Sequence, residues 1–353
     1  MKEVRFALVG CGHVARKHVD AILATKHASL VAVCDLKIER ALALSEELRV
    51  PAFVHLDDMI ANVPDIEVVN VLTPSGDHSR HTIAIAAHGK HVVVEKPMAL
   101  TVADADEMLV ACEQARVELF VAKQCRYNAA VLKLRDAINM GRFGKTVMGT
   151  ARVRRCRPQS YYDSEPWRGT VKLDGGVLAN QASHHLDLLI WMLGPVESVC
   201  AMAERRLADV EVADTAAVLL RFSSGALGVV EVTTATRPAD LESSLSILGE
   251  GGTVVIAGRA IDEVTTWSFA SQQPADATAL QDIGALPGHR ALIENVVATL
   301  RAGARPTVDG REARKSVEVI EAVRESVETR REVALRDLKR ESYLRSRNRA
   351  ESR

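Results

Sequence analysis

Among the 353 residues there is no Cys-x-x-Cys pair, no spacing that joins cysteine to histidine as metal ligands, and no excess of charge of either sign. The six cysteines, Cys11, Cys34, Cys112, Cys125, Cys156 and Cys200, are scattered, so they read as reduced structural thiols and the expectation is no metal. Lysine and arginine number 45 against 46 aspartates and glutamates, a formal net charge of -1, which excludes the electrostatic footprint of a nucleic-acid or anionic-membrane binder. No basic, apolar and small-residue series of a signal peptide precedes the first strand pattern, and no apolar run reaches the length of a membrane span. There is no internal repeat either. These absences leave a cytoplasmic protein with a small-molecule partner as the expectation.

What is present is enough chain for two domains, since this length exceeds what one hydrophobic core usually serves. Short apolar runs at Val4 to Val9, Leu30 to Cys34, Ala52 to Val54, Ile66 to Leu72, His91 to Glu95 and Glu118 to Ala122 alternate with helical patterns such as Ile38 to Leu48 and Ala103 to Ala115. Six strands with intervening helices imply an open parallel sheet. After Lys123 the rhythm changes. A helix at Asn128 to Met140 leads into stretches rich in Val and Thr at Lys145 to Arg155, Ala213 to Phe222, Ala226 to Thr236, Ser243 to Leu248 and Thr253 to Ile256, separated by Ser-Ser-Gly and Gly-Glu-Gly-Gly turns. These predict hairpins in a large, mostly antiparallel sheet. Helices at Arg290 to Leu300 and Glu312 to Thr329 follow, then a charged tail, 336–353, with seven Lys or Arg and three acids that frays or lies on the surface. The fold class is therefore α/β: a dinucleotide-binding domain over 1–123, an α+β substrate and oligomerisation domain over 124–335, and the tail.

The first strand ends in Gly10-Cys11-Gly12-His13-Val14-Ala15, which opens the first helix as a GxGxx(G/A) fingerprint. Gly10 permits the tight turn, Gly12 lets the backbone approach a pyrophosphate, and Ala15 permits close packing of helix on strand. Free N–H groups at the helix start then face the anion. Glycines at such turns are often purely steric, but here Asp35 ends the second strand 20 residues beyond Ala15, where a carboxylate can accept from the adenosine ribose hydroxyls. The pair points to a Rossmann domain that binds NAD. An extra 2′-phosphate would face Asp35, and Arg40 is the residue that could accommodate it. Thr73-Pro74-Ser75 closes the fourth strand on the ligand-binding edge and lines the nicotinamide side; taken singly, each is equally a turn or cap residue.

Glu95-Lys96-Pro97, closing the fifth strand below that fingerprint, resembles the signature of the glucose-fructose oxidoreductase, inositol dehydrogenase and MocA family, and the likeness runs from about Val4 to Leu335. The resemblance implies that Lys96 stands beside the nicotinamide and the reacting hydroxyl, and that His78, Glu95, Gln124, Trp167 and Arg168 join the cofactor site. A lysine aimed into a crevice is partly desolvated, which lowers its pKa toward useful acid/base values. The run Asp174 to Asp187 is similar to the family pattern GGGxLxDxGxHxxD, which puts the family histidine on His184 and the family aspartate on Asn180. An amide is no proton acceptor, so Asn180 orients substrate while His184 and Lys96 share the acid/base work. Neighbouring His185 reads as a core histidine.

A narrower likeness, to UDP-N-acetylglucosaminuronate 3-dehydrogenases of bacterial surface-polysaccharide biosynthesis, is carried by Lys123-Gln124, Arg126-Tyr127-Asn128, Tyr161-Tyr162-Asp163, Pro166-Trp167-Arg168-Gly169 and Asn180-Gln181. Ala129 departs from the proline usual there. This likeness implies oxidation of the sugar C3 hydroxyl to a ketone, with Arg126, Tyr127, Asn128, Arg154, Arg157, Tyr161 and Gln181 also binding substrate, in a homotetramer or homodimer. Guanidinium groups at Arg152, Arg154, Arg155 and Arg157 suit a diphosphate or carboxylate, against an equal reading as a solvated strand face. Two other readings stand beside it: a dehydrogenase of a free polyol such as inositol, and a non-catalytic regulator that binds NAD and a sugar.

Overall fold

Val4–Val9 (β1) is apolar on both faces and ends in a glycine turn, so it forms a buried strand feeding the helix Ala15–Ala24 (α1). Repetition of this unit builds the first half: Ala28–Cys34 (β2), Ile38–Leu48 (α2), Ala52–Phe53 (β3), Leu56–Asn62 (α3), Val68–Val71 (β4), His78–Ala87 (α4), His91–Val94 (β5), Val102–Ala115 (α5) and Leu119–Val121 (β6). The structure, a computed structural model, describes residues 2–278, 280 and 288–335. The tail expected at 336–353 lies outside the described residues.

By internal contacts the chain falls into two compact units. One comprises Met1–Ala99, Asp104–Tyr127 and Leu286–Arg314; the other comprises Leu100–Ala103, Asn128–Ala285 and Lys315–Arg353. The chain thus passes between units more often than a single cut after Lys123 would have it. In the first unit all strand pairs are parallel and run in the order β3-β2-β1-β4-β5-β6, so the order reverses between β1 and β4. Open α/β sheets bind ligands at that reversal, outside the carboxyl ends of the strands. A late helix, Gly288–Ala302 (labelled α10 below in chain order), returns to this unit and lays Leu292, Ile293, Val296 and Val297 on a core made by Phe6, Leu8, Val19 and Ile22.

The second unit contains Ala129–Asn139 (α6), Thr146–Arg154 (β7), Gln159–Asp163 (α7), Gly176–Asn180 (α8), Ser183–Leu193 (α9), Val196–Glu204 (β8), Thr215–Phe222 (β9), Leu227–Thr233 (β10), Glu242–Gly249 (β11), Gly252–Ala257 (β12) and Glu263–Phe269 (β13). After α10, the helix Gly310–Thr329 (α11) and the short strand Val333–Ala334 (β14) end the described chain. Eight strands pair in the order β13-β12-β11-β7-β10-β9-β8-β14, antiparallel except for β7 with β10. Burial alternates along β9 and β10, so one face is covered and the other open. The covered face carries α9. A Cβ on Gly149 of β7 would lie 2.6 Å from Leu193 and 2.8 Å from Leu189, which is why that contact uses glycine. All six cysteines are free thiols, and among the described residues no helix is long and apolar enough to cross a membrane.

Candidate active site

The turn after β1 has the strain its glycines were expected to relieve. Gly10 has φ +98°, donates its N–H to Cys34 O at 2.8 Å, and has no room for a Cβ, which would meet the Leu72 carbonyl at 2.7 Å. Gly12 is the opposite case: a Cβ there would find nothing within 4 Å, so no protein packing requires glycine at this position. The first turn of α1 has no acidic residue and no capping side chain, which leaves its dipole to an outside anion. Asp35 accepts from Cys11 N at 2.7 Å through one oxygen and from Lys37 N at 2.8 Å through the other, so the carboxylate is held at the end of β2. Burial and the adjacent Asp35 push the Cys11 thiol up to about 12, so it stays neutral. His13 is exposed and Val14 half-buried at this turn. These features fit a dinucleotide.

Across the reversal, at the end of β4, Thr73 O lies 2.9 Å from His78 Nε2, and His78 Nδ1 lies 2.8 Å from Pro97 O. His78 is 1% exposed, and burial lowers its pKa. It ties the turn after β4 to the turn after β5 and presents almost no surface to a ligand. Glu95 is likewise buried, at 6% exposure. One of its oxygens, Oε1, lies 3.0 Å from His18 Nε2 and 3.6 Å from His289 Nε2; the other accepts the Lys96 backbone N–H at 3.0 Å. Burial alone would raise its pKa, but the two histidines outweigh that and hold the carboxyl well below its usual range. Both residues, expected as cofactor contacts, thus face protein partners that bracket half-buried Lys96.

Three expected substrate residues also turn inward. Arg126 is 2% exposed and its guanidinium donates to Glu312 at 3.2 and 3.3 Å. Tyr127 donates to Asn295 at 3.3 Å, and burial pushes its phenol up to about 12. Asn128 donates to Ala260 O at 2.6 Å. Such groups brace the chain through these partners. Gln124 is half-buried in the same short helical turn.

In the second unit the family aspartate's replacement acquires a carboxylate of its own. Asn180 Nδ2 donates to Asp174 Oδ1 at 2.8 Å, Gly169 N donates to Asp174 Oδ2 at 2.6 Å, and Gln181 Nε2 donates to Asn180 Oδ1 at 3.0 Å. Asp174 is 2% exposed and therefore fixes both the Trp167-Arg168-Gly169 loop and the Asn180 amide. Arg168 stacks on Tyr161 at 4.0 Å and on Trp167 at 5.1 Å, and Arg157 lies 5.2 Å from the Tyr161 ring. Among the described residues Arg168 has no salt bridge. Arg154 differs: Glu231 grips it at 2.6 and 2.7 Å and Glu242 at 3.1 Å, from the strands on either side. Its charge is paired within the sheet, and a substrate diphosphate would have to compete with both carboxylates for it. His184 is half-buried at the start of α9, and His185 is buried with Nε2 2.8 Å from Ser243 Oγ.

Sequence reasoning gives no role to His18, Asn70, His289 or Asp174. Two of them leave a trace. His18 falls on the buried stripe of α1 with Ala15, Val19 and Ile22, and Asn70 interrupts the apolar strand Val68–Val71; a polar group at such a position needs a partner. His18, Glu95 and His289 also bring three ligand-type atoms within 4.8 Å of one another, a grouping that no sequence spacing announces.

This fold and these turns define a dinucleotide-binding oxidoreductase. Residues 4–123 match the oxidoreductase family's NAD-binding Rossmann fold and residues 131–255 match the GFO/IDH/MocA C-terminal domain; the chain belongs to this family and uses NAD. It is similar over nearly its whole length to the WlbA dehydrogenase from Bordetella pertussis, solved with NADH and UDP-GlcNAcA, at 39% identity, TM-score 0.89, with 94% of this chain and 98% of that one covered. A WlbA dehydrogenase from Chromobacterium violaceum, solved with the same two ligands, shares 40% identity at TM-score 0.91 over 95% of this chain and 96% of that one. Myo-inositol 2-dehydrogenase from Thermotoga maritima is 25% identical over 95% of this chain and 99% of its own length. The class is therefore an NAD-dependent sugar or polyol oxidoreductase.

Proposed function

We propose that this chain oxidises the C3 hydroxyl of a UDP-sugar, UDP-N-acetylglucosaminuronic acid, to the 3-keto sugar in the making of bacterial surface polysaccharide. The observation that carries this reading is the near full-length likeness at 39–40% identity to two dehydrogenases solved with that sugar, against 25% for the inositol enzyme. The geometry adds support in Arg168, which stacks on Tyr161 and has no salt bridge among the described residues; neighbouring Arg157 is paired with Asp240 at 3.2 Å, so of the two it is Arg168 that is left for an anionic ligand.

When bound, NAD supplies the acceptor for the hydride that leaves C3. The turn from Gly10 to Ala15 would hold its pyrophosphate and Asp35 its adenosine ribose, with Thr73 and Pro74 on the nicotinamide side. His184 takes the hydroxyl proton and Lys96 hydrogen bonds to the oxygen as it becomes a carbonyl, or the two exchange these roles. Asn180, with its amide oriented by Asp174 and Gln181, hydrogen bonds to the sugar. Holding the reacting groups in one fixed geometry accounts for much of the acceleration. Copies associate as a homodimer or homotetramer through the open face of the large sheet, where Met202 and Leu219 are 79% and 58% exposed.

The test is NADH absorbance with mass spectrometry of the product across UDP-sugars, inositols and free hexoses, in multiple- and single-turnover formats. The acid form of UDP-N-acetylglucosamine should react far faster than the neutral form and than the sugar lacking UDP. No oxidation of the acid form beside clear turnover of inositol would move the chain to the free-polyol reading.

A further inference from the structure

Lys96 sits between two anchored peptide groups in the first unit. On its amino side, Glu95 Oε2 accepts the Lys96 N–H at 3.0 Å; on its carboxyl side, Pro97 O is fixed by His78 Nδ1 at 2.8 Å. The Glu95 anchor is itself held by a chain of hydrogen bonds with one consistent direction. Asn70 Nδ2 of β4 donates to His18 Nδ1 at 3.0 Å, which leaves His18 Nε2–H to donate to Glu95 Oε1 at 3.0 Å. His18 and Asn70 are fully buried, and His289 of α10 closes on the same oxygen with its ring 5.1 Å from that of His18. A buried polar chain of this kind fixes the geometry of its last member more tightly than isolated bonds do.

We propose that His18 and Glu95 are positioning residues for the dehydrogenase reaction, holding the Lys96 backbone so that its side chain reaches the reacting hydroxyl. The inference rests on the Lys96 role in the reading above but not on the identity of the sugar. Because the chain acts through Lys96, its loss removes alignment without removing the ammonium, and the cost falls on kcat. Misplacement of a reacting group by about 1 Å can cost on the order of a hundredfold in rate, and the loosening of one backbone anchor costs less, roughly tenfold or more.

The experiment compares the NAD-loaded parent with Glu95→Gln, His18→Ala and His18→Gln, using whichever UDP-sugar or polyol the parent oxidises fastest. Per folded protein, Glu95→Gln and His18→Ala should lower kcat roughly tenfold or more while KM and NAD affinity stay near the parent's; His18→Ala also leaves Asn70 and Glu95 without a buried partner and should melt earlier, so rates are compared at equal folded fraction. His18→Gln, whose amide can accept from Asn70 and donate to Glu95, should recover much of the loss. A second readout needs no turnover: acetic anhydride labelling of Lys96, followed by peptide mass spectrometry, should change severalfold in both disruptive variants while other lysines label as before. A kcat within twofold of the parent with unchanged Lys96 labelling overturns the proposal, as does a rate loss matched by lost folded protein. If His18→Ala does not fold, the isosteric Glu95→Gln decides. A stoichiometric divalent ion in the parent that disappears in His18→Ala also overturns it, by making the trio a cation site. A parent that oxidises inositol but no UDP-sugar overturns the substrate reading alone.

Discussion

The two sheets use their strands in opposite ways. In the parallel sheet β4 is buried at every residue and β6 likewise, whereas in the large sheet β9 alternates buried and exposed along its length. A strand covered on both faces can offer a ligand only its end, and the candidate residues there, Gly10, Asp35, Thr73 and Lys96, all follow strand termini. A strand covered on one face offers its open side, and that is where Arg154 lies. Around Arg154 the open side is occupied by the carboxylates of Glu231 and Glu242. The second unit's candidates instead come from the short helices and loops between β7 and β8, where Asp174 organises them. Strand ends in one unit and an irregular segment in the other make very different demands on substitution.

The largest expected effect tests both units together. Lys96→Met and His184→Ala should each slow hydride transfer by roughly a hundredfold or more with NAD affinity nearly unchanged, measured by stopped-flow NADH absorbance. Parent-like transfer in one variant would remove that unit from the acid/base chemistry.

Next come the two glycines at the end of β1. Gly10→Ala forces a left-handed backbone and a clash with Leu72, at a cost on the order of 2–3 kcal/mol in urea unfolding. Gly12→Ala should leave stability within about 0.5 kcal/mol yet weaken NAD binding by roughly tenfold or more, because its Cβ enters only the open space. Equal effects of the two on stability would contradict the division between a steric and a cofactor-facing glycine. At the end of β2, the proposed ribose contact of Asp35 predicts NAD binding roughly tenfold or more tighter than NADP by calorimetry, since a 2′-phosphate would meet this carboxylate, and Asp35→Ala should narrow the gap.

Smaller effects belong to the second sheet. Asp214, just before β9, accepts N–H groups of Arg206, Leu207 and Ala208 at 3.0, 2.7 and 2.8 Å. Burial opposes its ionisation, but those bonds hold its pKa below the ordinary value. A depressed carboxylate contributes stability above its unfolded pKa of about 4 and loses it as pH falls further. Asp214→Asn should therefore cost about 1–2 kcal/mol at neutral pH, and the difference from the parent should shrink below about pH 4. Denaturant midpoints at both pH values check the sign. Smallest of all, Arg154→Ala should change KM for the substrate less than about twofold, because the arginine is already neutralised by the sheet. A large rise in KM would return Arg154 to the substrate site.

How much of this was readable before any coordinates follows from the same contrast. Val4–Val9 and the glycine turn announce a buried strand and an anion-binding helix start because each depends on local sequence alone. The sequence reading does not mark β8 or β13, whose mixed composition gives weak alternation, nor the parallel pairing of β7 with β10, which is decided by neighbours far along the chain. The fate of Arg154 was equally hidden, since Glu231 and Glu242 are 77 and 88 residues away in sequence. Lys96 and His184 were visible through family motifs, while His289 became a neighbour of Glu95 only once α10 had come back to the first unit.

Asn70 has a consequence for how the chain finds its alignment. It faces Leu8 of β1 and Val93 of β5 across the ladders, in a strand whose other members are all valine, so hydrophobicity alone would tolerate a shifted pairing almost as well. A slip of one residue turns every side chain to the opposite face. It would set a valine against the His18 ring and bury the amide away from its partner, a loss of about 1–3 kcal/mol. One asparagine thus works as an indexing notch, admitting a single alignment of an otherwise uniform strand, and the strand so indexed is the one that carries Thr73 to its place.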